Sequence, residues 1–168
     1  MDSTLIIDFI IILVLIVASG WFSMSELAVI NARKHKLEEL AEAGDKRAIL
    51  AHKLADDPNQ MFSTVQIGIT LVAILIGLYS GDTFADSLKE VLLEAMPWLG
   101  SYAGSISSIL IVVLITYLTL IIGELVPKRL AINSPATISI WIARPMYVLS
   151  LTLRPIVAIL AWSTDLVL

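Results

Sequence analysis

The stretch LIIDFIIILVLIVASGWFSMSELAVI, residues 5–30, decides what kind of protein this is. From Leu5 to Phe22 its only charge is Asp8, and a bilayer core of about 30 Å is crossed by roughly 20 apolar residues in a helix. No Lys or Arg precedes the run, it is longer than the apolar part of a secretion signal, and no small-residue cleavage site leads into a polar chain. The segment therefore reads as a retained membrane span.

The composition agrees. Of 168 residues, 58% are hydrophobic and 15% charged, with a mean hydropathy of +0.89, whereas soluble domains hold about 45–50% apolar residues. The charges are clustered and the net charge is −4, which excludes a disordered or nucleic-acid-binding chain. With no cysteine, disulfides, thiolate metal sites and a cysteine nucleophile are excluded.

Two further segments have the length and apolarity of spans, giving three in all: about residues 5–30, 60–80 and 102–126. The second is announced by Asp57-Pro58-Asn59-Gln60: an N-cap, a proline at the first helical position and a Gln three residues after the cap. Residues 33–56 have amphipathic spacing broken at Gly44-Asp45, which predicts two short surface helices. That loop holds Arg33, Lys34, Lys36, Lys46, Arg47 and Lys53, while the loop between the second and third spans has Lys89 against four acids. Basic loops stay inside, so the expected topology puts the N-terminus outside and the C-terminus in the cytoplasm of a multi-pass cell-membrane protein.

Residues 136–168 are apolar enough for a fourth span, but Arg144-Pro145 and Arg154-Pro155 each set a charge and a helix breaker inside the run. A guanidinium at mid-bilayer costs at least about 2.5–3.5 kcal/mol. Short helices forming a cytoplasmic juxtamembrane belt, with Trp141, Tyr147 and Trp162 at headgroup level, avoid that cost. The expected fold is an all-α membrane protein, one domain of three transmembrane helices plus cytoplasmic and interfacial helices; four spans is the alternative.

Ionisable groups inside the spans are few: Glu26 in the first and Glu124 in the third. Such groups must be paired, protonated or bound to a cation. Ser19, Ser23 and Ser25 flank Glu26, and the inner third of the second span supplies Ser63, Thr64, Gln66 and Thr70. Carboxylate, hydroxyl and amide oxygens suit a hard cation such as Mg²⁺. In Gly123-Glu124-Leu125-Val126-Pro127-Lys128, Pro127 has no N–H and leaves the Gly123 carbonyl unbonded, and Lys128 stands four residues after Glu124, in reach of its carboxylate. The plainer reading of the serines and glycines is helix packing; the convergence of two carboxylates and a freed carbonyl favours an ion site.

Three motifs, Phe22-Ser23-Met24-Ser25-Glu26-Leu27-Ala28, Val65-Gln66-Ile67-Gly68-Ile69-Thr70-Leu71-Val72 and Gly123-Glu124-Leu125-Val126-Pro127-Lys128, in this order resemble the transmembrane domain shared by bacterial CorC and animal CNNM proteins. The resemblance implies a homodimer in the lipid bilayer that exports Mg²⁺, with Na⁺ as counter-ion, from an inward-facing cavity holding the dehydrated ion. Its implied ligands are Ser23, Ser25 and Glu26 of the first span and Gly123, through its carbonyl, with Glu124 of the third. Where many members have Gly-Asn-Thr-Leu-Val-Asn, this chain has Ile69 and Ala73 in place of the asparagines, so Gln66 or Thr70 is the available substitute. Members usually continue into nucleotide-binding cytoplasmic CBS domains, which these residues do not include.

The expected function is Mg²⁺ export by alternating access; the alternative is a Mg²⁺-sensing scaffold that acts on another carrier. An intramembrane enzyme is not expected, since there is no His-Glu-x-x-His motif and no histidine within the spans.

Overall fold

The computed structural model describes residues 3–80 and 82–167, and every regular element among them is a helix. The first helix, α1 (Ser3–Asn31), is 29 residues long. Its buried positions Ile12, Ile16, Ser19, Gly20 and Ser23 recur every three or four residues, which lines them along one stripe.

Two short helices follow, α2 (Lys34–Glu42) and α3 (Lys46–Asp56). Gly44 (φ +93°) makes the corner between them, because a left-handed residue ends a helix at little cost only if it lacks a Cβ. Its N–H donates to the Ala41 carbonyl at 3.0 Å and that of Asp45 to Leu40 at 3.1 Å, closing a Schellman cap. Asp45 then caps α3, its Oδ1 accepting from the N–H groups of Arg47 (2.8 Å) and Ala48 (3.4 Å).

Helix α4 (Pro58–Ser80) returns along α1. Its buried stripe is Met61, Thr64, Val65, Gly68, Val72 and Ile76, and the Phe22 ring occupies the space a side chain at Gly68 would fill. Beyond it come α5 (Asp82–Ala95), a 3₁₀ turn (Pro97–Tyr102) and α6 (Ala103–Leu120), on which α5 packs. The helical path then widens into a π-turn over Ile121–Leu125 and continues as α7 (Val126–Asn133). Pro127 accounts for the widening, since a proline ring inside a helix collides with the carbonyl four residues back.

The final helix, α8 (Pro135–Val167), has 33 residues and runs unbroken through Pro145 and Pro155. This corrects the expectation of several short helices over residues 136–168. Both prolines are exposed while Ser139, Ile142, Ala143, Met146 and Ser150 are buried, so the packed face carries the helix past the two missing N–H groups. With α8, four apolar helical stretches among the described residues are long enough to cross a membrane: Leu5–Asn31, Pro58–Ala95, Pro97–Asn133 and Pro135–Val167. The count of three expected from sequence is not matched exactly.

Two apolar cores hold the helices. One joins Val29 and Ala32 at the end of α1, Leu37, Ala51 and Leu54 from α2 and α3, Met61 and Val65 at the start of α4, and Ile142, Ala143 and Met146 of α8. The other is Ile12 and Ile16 against Val72 and Ile76. Large apolar side chains such as Val14, Leu78, Ile109 and Val112 stay exposed, the surface a membrane helix turns to lipid.

Candidate functional site

The π-turn lies where the third apolar stretch crosses α1. Gly20 sits so close that a Cβ there would come within 2.9 Å of the Ile122 carbonyl oxygen and 2.8 Å of Pro127 Cγ. A Cβ on Gly123 would lie 3.2 Å from the Ile16 carbonyl oxygen and 3.4 Å from Ser19 Cβ. Small residues thus let two backbones approach, as at membrane helix crossings generally.

Within the turn the Val126 N–H donates to the Ile121 carbonyl, the i→i+5 bond of a π-helix. Pro127 has no N–H, so neither the i+5 bond of Ile122 nor the i+4 bond of Gly123 can form. Two carbonyls, rather than the one expected, lose their helical donor at Pro127, and that of Ile122 abuts Gly20.

Glu124 is in the turn itself, its Oε1 accepting from Lys128 Nζ at 2.6 Å with both side chains partly exposed. The pair is the i,i+4 contact that the spacing of the two residues allows.

On α1, Ser19, Ser23 and Glu26 follow i, i+4, i+7 spacing and share one stripe; the contact of Ser19 with Gly123 sets that stripe against the third apolar stretch. Ser23 is 4% exposed and has no hydrogen-bond partner among the described residues. Glu26 is half-buried and forms no ion pair among them. Ser25, two residues from Ser23, points about 200° away around the helix, and its Oγ donates to the Trp21 carbonyl at 2.7 Å.

Gln66 is exposed, off the stripe of α4 that meets α1. The structure therefore brings Gly123, with Glu124 next to it in the turn, against α1 at Ile16 and Ser19, while Ser23 and Glu26 lie about one and two turns further along α1 and Ser25 and Gln66 point elsewhere. Among the described residues no three of His, Cys, Asp and Glu gather as a metal-holding group.

Sequence reasoning passed over a second polar set. A cleft of about 570 Å³ between α4 and α6 is lined by Gly77, Ser80, Ser108, Thr116 and Thr119, among apolar neighbours, and reaches Leu120 at the edge of the π-turn. The Thr119 hydroxyl is buried there without a partner. Its signal was hydroxyls recurring along an apolar helix at Ser108, Thr116 and Thr119.

An all-helical, multi-pass membrane domain with a close, proline-widened crossing is the class that fold and site define. A family model, the Cyclin M transmembrane N-terminal domain (CNNM), matches residues 10–168, and the chain belongs to this family. It is similar to UPF0053 protein sll0260 of Synechocystis, 46% identical over 167 residues, which are 99% of this chain and 37% of that protein. UPF0053 protein YhdT of Bacillus subtilis is 34% identical over 157 residues, 94% of this chain and 34% of the relative. A protein of Haemophilus influenzae named polyamine export protein is 30% identical over 146 residues, 87% and 33% of the two chains. The chain thus spans about a third of the length of these relatives.

Proposed function

We propose that this domain exports Mg²⁺ from the cytoplasm in exchange for Na⁺, by alternating access around the crossing of the first and third spans. The observation that carries the reading is Glu124, placed in a π-turn beside the Ile122 and Gly123 carbonyls, to which Pro127 can donate nothing, and paired among the described residues with Lys128. Mg²⁺ keeps several waters and takes one or two carboxylates rather than a cage of acids, and the groups this reading assigns to it are Glu124 and Glu26, the Ser23 hydroxyl and the Gly123 carbonyl. The ion displaces Lys128 from Glu124, sheds part of its water onto these oxygens, and leaves through the hydroxyl-lined cleft between α4 and α6.

In this reading the domain has three spans, an outside N-terminus and a cytoplasmic C-terminus in the cell membrane. Helix α8 lies along the cytoplasmic interface: its buried stripe packs on the ends of α1 and α4 and on the charged helices α2 and α3. The working unit is a homodimer, and longer chains of the family add cytoplasmic CBS domains.

Two relatives named polyamine export protein favour a second cargo, an organic polycation that the same carboxylates would hold. The purified protein alone, in vesicles with an imposed Na⁺ gradient, tests both. Mg²⁺ flux against that gradient, reduced roughly tenfold or more by Glu124→Gln, is expected, the size of a lost direct charge contact. Spermidine flux without Mg²⁺ flux selects the second cargo, binding without flux identifies a sensor, and full Mg²⁺ flux in Glu124→Gln removes Glu124 from the mechanism.

A further inference from the structure

Arg33 and Lys36 face one cavity together. Their neighbour Lys34 is paired with Asp56 at 3.2 Å, but among the described residues neither Arg33 nor Lys36 has a carboxylate within ion-pair distance. Both line a cavity of about 440 Å³ between the α1–α2 junction and the α7–α8 junction, whose other polar walls are Asn31, Asn133, Ser134 and Thr137. No acid lines it.

Asn133, Ser134 and Thr137 also form one wall of an adjoining groove of about 390 Å³, and its remaining walls are Met24, Leu130, Ile138 and Trp141. Leu130 and Trp141 are 52% and 60% exposed. A cationic, hydroxyl-bearing cavity thus adjoins a largely apolar one, the charge pattern of a molecule with an anionic head and a hydrocarbon tail.

We propose that these two cavities together bind one anionic phospholipid, its phosphate against Arg33 and Lys36 and an acyl chain along Met24, Leu130, Ile138 and Trp141. A soluble phosphate would use only the first chamber and leave the second without purpose. The lipid ties the end of α1 to the joint between α7 and α8, so it favours whichever arrangement of these helices keeps both chambers whole.

The test uses the chain with Trp21, Trp98 and Trp162 changed to Phe, so that Trp141 alone fluoresces, in phosphatidylcholine vesicles. Phosphatidylglycerol brominated on its acyl chains should quench Trp141 at a mole fraction roughly ten- to thirtyfold lower than brominated phosphatidylcholine, the preference two basic contacts supply. Arg33→Ala with Lys36→Ala should bring that ratio close to one, whereas Arg47→Ala on α3 should leave it in place. Equal quenching by both lipids overturns the proposal. So does an equal loss in Arg47→Ala, which marks general surface charge, or displacement by millimolar inorganic phosphate, which marks a soluble anion. Should the Phe variant not fold, native mass spectrometry of the unsubstituted chain decides by the same comparison: retained phosphatidylglycerol supports the site, and equal retention of both lipids overturns it.

Discussion

Gly20 has the least room of the residues at the crossing. A methyl group there would press on the Ile122 carbonyl and the Pro127 ring at once, and neither can turn aside as a long side chain can. Overpacking a tight contact costs about 1–3 kcal/mol, so Gly20→Ala should lower the melting temperature of the purified protein in detergent. Gly123→Ala meets its nearest atom at 3.2 Å and should lower it less; an unchanged melting temperature in Gly20→Ala would mean the two helices do not touch there. At this scale the sequence disclosed the reach of Lys128 to Glu124 and the carbonyl freed by Pro127, because both follow from fixed spacing along one helix. It did not disclose that Ser25 bonds back to Trp21, nor that Gln66 faces away from α1. Both depend on which stripe of each helix finds a partner.

Individual helices were most readable at their ends. Gly44-Asp45 and Asp57-Pro58 mark a stop and two starts whose hydrogen bonds are local. Asp45→Ala removes the cap of α3, a loss of about 0.5–2 kcal/mol, and should speed hydrogen exchange of the Arg47 and Ala48 amides with little effect on α1 or α4. Exchange at the wild-type rate would show that the cap is idle. The interiors were harder to read. The π-turn at Ile121–Leu125 arises where a proline meets a helix pressed against a neighbour, and α8 passes two prolines because its opposite face is packed. In each case the deciding force comes from another element, which periodicity along one segment does not carry.

For the molecule as a whole, hydropathy identifies a membrane protein and makes α8 the least apolar of the four stretches, but length and apolarity do not show whether it crosses the membrane. The packing of α8 on the charged helices α2 and α3 favours the interface. The absence of cysteine makes the question direct to address: Ser134→Cys and Thr164→Cys, at opposite ends of α8, should both react with a membrane-impermeant thiol reagent from the same face of oriented vesicles. Labelling from opposite faces would make α8 a fourth span.

The contact at Gly20 also sets a mechanical rule. Where α1 and the third apolar stretch meet backbone to backbone, around Gly20 and Gly123, they cannot part without losing that contact, so a tilt of one against the other would pivot there. Ser23 and Glu26 lie on one arm of the lever and Ile12 on the other, and spreading the first arm draws the second together. Under the proposed alternating access, such a fulcrum would let one end of the crossing open only as the other closes.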